Sequence, residues 1–165
     1  MTSLTHLYAN SEAVTNIDVE IQIIDDSLCT LMHLKVLCFC NTLLFDLPQQ
    51  IGNLVNLEVL DLTASNLVLL PDSITRLTNL VELCAMANHF SELPPNFGNL
   101  RALKILELAH NNSVLTLPPS FVNLTQLCEL SVPVRQRCVK PPGYQDFVST
   151  LLSTQCTYEE AGQHI

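Results

Sequence analysis

The stretch LPQQIGNLVNLEVLDL, residues 47–62, has three close relatives later in the same chain. They are LPDSITRLTNLVELCA at 70–85, LPPNFGNLRALKILEL at 93–108 and LPPSFVNLTQLCELSV at 117–132. Leucines 34, 57, 80 and 103 recur every 23 residues, and Leu127 follows after 24. Self-similarity with a period of about 20–50 residues is typical of proteins that stack one structural unit many times. The sequence therefore predicts an array of units that presents a surface.

Each unit reads L-x-x-L-x-L-x-x-N-x-L, followed by L-P-x-x-I-x-x-L. In a strand the residues of x-L-x-L-x alternate between two faces, so the leucines are expected inside and the x positions outside. Apolar pairs three residues apart, such as Phe97 and Leu100, are expected to close the core through one 3-10 or helical turn. The predicted fold is an α/β solenoid with a curved parallel sheet on its concave face and short helical or 3-10 turns on its convex face.

The spacing of the leucines also predicts the boundaries of the array. About five repeats are expected in a solenoid over 1–133, with an irregular first repeat at 4–33 and an insertion at 11–23. Residues 134–165 are predicted to form a cap helix and tail, because a helical apolar face recurs there. The residues of that face are Tyr144, Phe147, Val148, Leu151 and Leu152. A cap is favoured over a partner-binding helix because the exposed end of a solenoid needs covering.

The asparagine position of each unit is expected to bond backbone groups of the turn that follows the strand. Asn88 and Asn111 occupy it in the later units, and Thr42 and Ser65 occupy it in the earlier ones. These four residues form a predicted structural ladder. Losing a buried hydrogen-bonding partner of this kind costs about 1–3 kcal/mol of stability.

This pattern resembles the leucine-rich repeat family. The 23-residue form with L-P-x-x-I-x-x-L is similar to the cytosolic Ras-scaffold, Scribble-like and plant Ras-group repeats. The resemblance spans Leu4 to Val132. It implies the solenoid fold and a role in binding a protein partner, and it leaves the partner open.

Composition limits the classes of function. The chain is 48% hydrophobic and 14% charged, which excludes intrinsic disorder, and its net charge of −9 disfavours nucleic acid and anionic membranes. No apolar run approaches the about 20 residues that span a bilayer, so membrane insertion is not expected. The first residues, MTSLTHLYANSEAV, lack the basic and apolar regions of a secretory signal. A cytoplasmic location is therefore expected.

The seven cysteines have irregular spacing, which is a poor disulfide framework. Most fall at or beside apolar positions of the repeat, so we interpret them as small hydrophobic residues that stay reduced. C-x-x-C spacing is missing from the sequence, and neither a metal site nor a cofactor is expected.

The outward positions of the strands give the candidate binding surface on the concave face. They carry acids beside exposed apolar side chains, without lysine or arginine, which is the composition of a protein-binding patch. The candidate residues are Val36, Cys38, Val59, Asp61, Glu82, Cys84, Met86, Ile105, Glu107, His110 and Glu129. The alternative is a solvated acidic sheet face.

Catalysis is not expected. No G-x-S-x-G motif or phosphate-binding glycine loop occurs, and no histidine is placed to activate Cys38 or Cys40. A small-molecule substrate is therefore not expected either.

Three roles in protein binding remain open. The first is a scaffold or adaptor in signal transduction that binds a partner with a basic and apolar surface. The second is the recognition region of a plant-type immune receptor or of a bacterial leucine-rich repeat effector. The third is a regulatory subunit of a signalling enzyme such as a phosphatase.

Overall fold

A computed structural model gives the fold of residues 4–9, 21–111, 114–133, 137–153 and 156–161. Most of the insertion predicted at 11–23 lies outside these described residues. The described part contains nine strands: β1 His6–Tyr8, β2 Val36–Cys38, β3 Val59–Asp61, β4 Glu82–Cys84, β5 Ile105–Glu107, β6 Val114–Thr116, β7 Glu129–Pro133, β8 Arg137–Val139 and β9 Thr157–Ala161. One α-helix, α1, spans Tyr144–Ser153.

Seven of these strands form one parallel sheet in the order β1-β2-β3-β4-β5-β7-β9. The register follows the repeat, since Leu37, Leu60 and Leu83 are paired in turn and are fully buried. Strands β6 and β8 pair with each other, also in parallel, in a separate two-stranded sheet. The predicted solenoid with a parallel sheet is therefore confirmed.

Short 3-10 segments return the chain between the strands, and we call them the convex segments. They are Asp26–Thr30, Ile51–Asn53, Asp72–Arg76, Phe97–Asn99 and Pro119–Asn123. Five-residue and three-residue segments alternate along the solenoid. Each contributes buried apolar residues, such as Ile74 and Phe97, that close the core opposite the sheet.

The glycines of the two short segments have a specific packing role. A Cβ atom on Gly52 would collide with the backbone carbonyl of Ser73, and one on Gly98 would collide with that of Ser120. Ser120 is also bonded to the short segment, since the backbone N–H of Gly98 donates to Ser120 Oγ at 3.1 Å. Neither glycine has a positive φ. Close approach of the next unit, and not turn geometry, therefore requires glycine at both positions.

The ladder residues are buried beneath the turns that follow the strands, as their exposures of 2–4% show. Asn88 Nδ2 donates to the carbonyl of Leu62 at 2.8 Å and to that of Met86 at 3.1 Å, and Asn88 Oδ1 accepts from Leu67 N at 3.1 Å. Asn111 repeats the arrangement one unit later, with bonds to Ala85 and Leu108 and from Phe90. The side chains thus tie adjacent units together.

The residue before each ladder position has left-handed backbone geometry. The φ angles are 54° at Asn41, 53° at Ala64, 53° at Ala87 and 58° at His110. Asparagine and histidine tolerate this region better than most residues, whereas alanine is strained there. The turn after the strand is therefore strained in the two central units.

Helix α1 covers the last convex segment. Tyr144, Val148 and Leu151 are buried, and the rings of Tyr144 and Phe147 lie 6.1 and 5.8 Å from that of Phe121. After the helix the chain returns to the sheet as β9, which pairs with β7 from Glu129–Thr157 to Pro133–Ala161. The sequence predicts the helix but not this strand. Within the described residues, no helix has the length and apolar character needed to cross a membrane.

Candidate functional site

The outward residues of the seven-stranded sheet form two rows that cross the strands. The first row consists of Val36, Val59, Glu82, Ile105 and Glu129. The second row consists of Cys38, Asp61, Cys84, Glu107 and Ser131. Neighbouring members of a row are register partners, and parallel strands lie about 4.8 Å apart. The period of the repeat therefore places the row residues side by side on one face, whereas Met86 and His110 lie beyond the ends of β4 and β5.

The exposure of these side chains differs along the rows. Cys38 and Cys84 are buried, with 6% and 9% of their surface exposed, whereas Glu129 and His110 are exposed. The remaining predicted residues are half-buried: Val36, Val59, Asp61, Glu82, Met86, Ile105 and Glu107. A partner can reach the acids and the apolar side chains of the first row, but it can hardly reach the two buried thiols.

Two members of the second row, Cys38 and Asp61, meet the thiol of Cys40, which lies in the turn just after β2. Cys40 Sγ lies 2.8 Å from Cys38 Sγ and 2.8 Å from Asp61 Oδ2, and Cys38 Sγ lies 3.6 Å from the same carboxylate oxygen. Burial, followed by the hydrogen bond to Asp61, raises the pKa of the Cys40 thiol. The sequence predicts no direct contact among these three side chains.

Cys84 is flanked by carboxylates on both neighbouring sides. Its thiol donates to Glu82 Oε1 at 3.4 Å, and burial raises its pKa, with further contributions from the charge of Glu107 and from the bond to Glu82. Cys40 and Cys84 are therefore protonated at neutral pH. A protonated thiol is a poor nucleophile, so the two side chains are unsuited to covalent catalysis.

A second apolar surface, on the flank of the solenoid, is missing from the sequence prediction. Phe45 and Val68 occupy equivalent positions of adjacent units and expose 55% and 51% of their surface, and Leu69 exposes 49%. The nearby groove has a volume of about 330 Å³ and is lined by Leu69, Pro71 and Pro94 among others. The sequence does contain a signal for this flank surface. Phe45 and Val68 are large apolar residues one repeat period apart, at a position that the core pattern does not require to be apolar.

Strand β9 also extends both rows beyond the predicted surface. Thr157 pairs with Glu129 at the end of the first row, and its side chain is exposed. The helix α1 lengthens the last unit, so the regular leucine spacing does not reach this strand. Thr157 is thus a candidate surface residue that the repeat period cannot identify.

Comparisons with known proteins agree with this architecture. Residues 16–90 match a family model described as "Leucine-rich repeat region". The solved structure of a leucine-rich repeat protein from Leptospira interrogans is similar, with a TM-score of 0.74 and 29% identity over 90% of this chain. The match covers 35% of that bacterial protein, so this chain spans about a third of its length. No curated protein matches the sequence.

Proposed function

Because residues 16–90 match a leucine-rich repeat region and the fold is that of a leucine-rich repeat solenoid, we propose that this chain is an interaction module, an adaptor or scaffold, that binds a protein partner on its concave face. The observation that carries this proposal is the pair of rows described above. They combine acids with half-buried Val36, Val59 and Ile105 on a rigid parallel sheet. Apolar side chains at outward sheet positions are the more informative part, because a solvated face has no need of them.

The chemistry of the rows specifies the kind of partner. Asp61, Glu82, Glu107 and Glu129 give the surface a negative potential, and the two rows contain no lysine or arginine. Electrostatic complementarity then favours a partner with basic side chains around an apolar centre. Nucleic acid and anionic lipid carry the wrong charge for this surface. The role is non-enzymatic, and signalling in the cytoplasm is its proposed setting.

A recognition region within a longer protein, such as an immune receptor or a bacterial effector, is the second candidate. The observation that favours it is the length of the similar bacterial protein, of which this chain matches 35%. A regulatory subunit of a signalling enzyme is the third, and it predicts an enzyme activity that purifies together with this chain.

The experiment is an affinity purification from the native cell followed by mass spectrometry. Wild type is compared with Glu82→Lys/Glu107→Lys, which reverses two charges of the rows without touching a core side chain. The matched control, Asp26→Lys/Asp146→Lys, makes the same change of charge at two exposed residues outside the rows and away from the flank surface. Circular dichroism verifies that all three proteins are folded.

We expect a partner that is lost from the first variant and retained by the control. A partner retained by both variants would contradict the concave site. The flank surface is then the next to test, with Phe45→Ser/Val68→Ser. Loss from both variants would mean that overall charge, and not the concave face, governs binding.

A further inference from the structure

The second row brings together a group of potential metal ligands. Cys38 Sγ, Cys40 Sγ and a carboxylate oxygen of Asp61 all lie within 4.8 Å of one another. Thiolate sulfur and carboxylate oxygen are both ligands that zinc accepts, and three protein ligands with one open position are a common arrangement. The group therefore has the composition and the compactness of a metal site.

The backbone explains why the three side chains converge. Cys38 ends strand β2 and Cys40 lies in the turn that follows it, where its Sγ comes within 2.8 Å of Cys38 Sγ. Asp61 is the register partner of Cys38 on the adjacent strand β3. The sheet therefore holds two of the three ligands, Cys38 and Asp61, and rigid elements hold ligand geometry better than loops do.

The carboxylate of Asp61 is also held in the orientation that the site needs. The backbone N–H of Thr63 donates to Asp61 Oδ1 at 3.0 Å, which leaves Oδ2 to face the two sulfur atoms. In metalloproteins a hydrogen bond to the carboxylate oxygen that does not bind the metal fixes the orientation of the ligand side chain. A bond from aspartate to the backbone N–H two residues on is a common local turn, and here it leaves Oδ2 turned toward the sulfurs.

We propose that Cys38, Cys40 and Asp61 bind a thiophilic divalent cation, Zn²⁺, with a water molecule in the fourth position. A tetrahedral centre with Zn–S bonds of about 2.3 Å holds its sulfurs about 3.8 Å apart, so the thiols must separate by about 1 Å on binding. Cys40 lies just beyond the end of β2 and is half-buried, which leaves it room to move. The inference does not depend on the partner proposed above.

A disulfide between the two cysteines is the competing interpretation of their closeness. The two Sγ atoms lie 2.8 Å apart and both cysteines are present as thiols, whereas the S–S bond of a disulfide is about 2.05 Å long. The arrangement therefore suits a metal ion better than a covalent bond.

The electrostatic surroundings favour a cation. Glu82 and Glu107 occupy neighbouring positions of the rows, and their charges focus positive ions on this face. Cys84 is the register partner of Asp61 on the strand opposite β2, and its thiol donates to Glu82. We therefore do not include Cys84 among the ligands. A bound divalent cation stabilises the thiolate form of a cysteine ligand.

The test is a titration of the full chain, reduced and freed of metal, with Co²⁺ as the probe. We expect thiolate-to-cobalt charge-transfer absorption that saturates at one Co²⁺ per chain and disappears when Zn²⁺ is added, because zinc binds such sites more tightly. Cys40→Ser and Asp61→Asn should each weaken Co²⁺ binding at least about tenfold. Cys128→Ser, which removes an exposed thiol elsewhere, is the matched control and should leave binding unchanged.

Circular dichroism separates loss of the site from loss of the fold. Asp61→Asn preserves the size of the side chain and the oxygen that Thr63 bonds, so it remains informative if Cys40→Ser does not fold. The proposal is overturned if the folded wild type shows no charge-transfer absorption. It is equally overturned if folded Asp61→Asn binds Co²⁺ as tightly as wild type, or if Cys128→Ser abolishes binding.

Discussion

The hydroxyl groups of Thr42 and Ser65 lie 3.1 Å apart and share one acceptor, the backbone carbonyl of Phe39. The distances to that carbonyl are 3.1 Å from Thr42 and 3.0 Å from Ser65. In the later units a single asparagine side chain makes bonds to several backbone groups instead, as Asn88 does. The ladder is thus continuous, but its chemistry changes from hydroxyl to amide halfway along the solenoid.

This change predicts unequal effects of ladder substitutions on stability. Asn88→Ala leaves buried backbone groups of two units without a partner and should lower the free energy of unfolding by about 2–3 kcal/mol. Ser65→Ala removes a hydroxyl whose acceptor retains Thr42, so a loss of about 1 kcal/mol is expected. Urea unfolding of both variants checks the prediction. Equal losses would show that the amide contributes no more than the hydroxyl.

The close approach of Gly98 to Ser120 predicts that even one methyl group is not tolerated there. Gly98→Ala should destabilise the fold by about 1–3 kcal/mol, because the next unit must shift to admit the Cβ atom. Thr75, the equivalent residue of the preceding unit, already carries a Cβ atom. Thr75→Ala is therefore the control, and thermal unfolding should show little change for it. A Gly98→Ala protein as stable as wild type would contradict the packing described here.

The left-handed geometry of Ala87 predicts a stabilising substitution. Ala87→Gly should relieve the strain and raise the free energy of unfolding by about 0.5–1 kcal/mol, net of the entropy that glycine adds to the unfolded chain. Ala102 is the control, because its φ is not positive. Ala102→Gly should lower stability by about 0.5–1 kcal/mol. Urea unfolding should therefore show a higher free energy of unfolding for Ala87→Gly and a lower one for Ala102→Gly. A lower free energy of unfolding for both variants would disprove the strain at Ala87.

Because α1 is a cap, substitutions on its buried face should lower stability much more than substitutions on its exposed face. Tyr144 is 3% exposed against Phe121, so Tyr144→Ala should cost about 3–5 kcal/mol. Leu152 is 53% exposed on the other side, and Leu152→Ala should change stability by less than about 0.5 kcal/mol. Thermal unfolding of the two variants measures the difference. A partner-binding helix would instead require that Leu152→Ala weaken binding while leaving stability unchanged.

The repeat period was sufficient to predict the sheet and its inward leucines. A step of 23 residues places Leu37 beside Leu60, and the structure has the same register. The period could not predict β9, because the ten-residue helix before it breaks the spacing. Sequence periodicity therefore describes the regular units well and the end of the solenoid poorly.

The thiol group of the second row escaped prediction for a different reason. C-x-x-C is the spacing that indicates a metal site in a sequence, whereas these two cysteines have C-x-C spacing, one at the end of a strand and one in the turn after it. The third ligand atom, Asp61 Oδ2, lies 2.8 Å from Cys40 Sγ, and the backbone of Thr63 bonds the other oxygen of the carboxylate. Side-chain orientation of this kind depends on contacts that the sequence alone does not reveal.

Long and short convex segments alternate, and this alternation determines how many repeat units can be deleted or duplicated without disturbing the packing between neighbours. Deletion of the unit that contains Asp72–Arg76 would place two short segments, Ile51–Asn53 and Phe97–Asn99, against each other. It would also remove Ser73, the residue against which Gly52 packs. A deletion or duplication of two units keeps every such pair intact. The solenoid is therefore modular in pairs, and a change in its length by gene duplication or by design would proceed most easily in steps of two units.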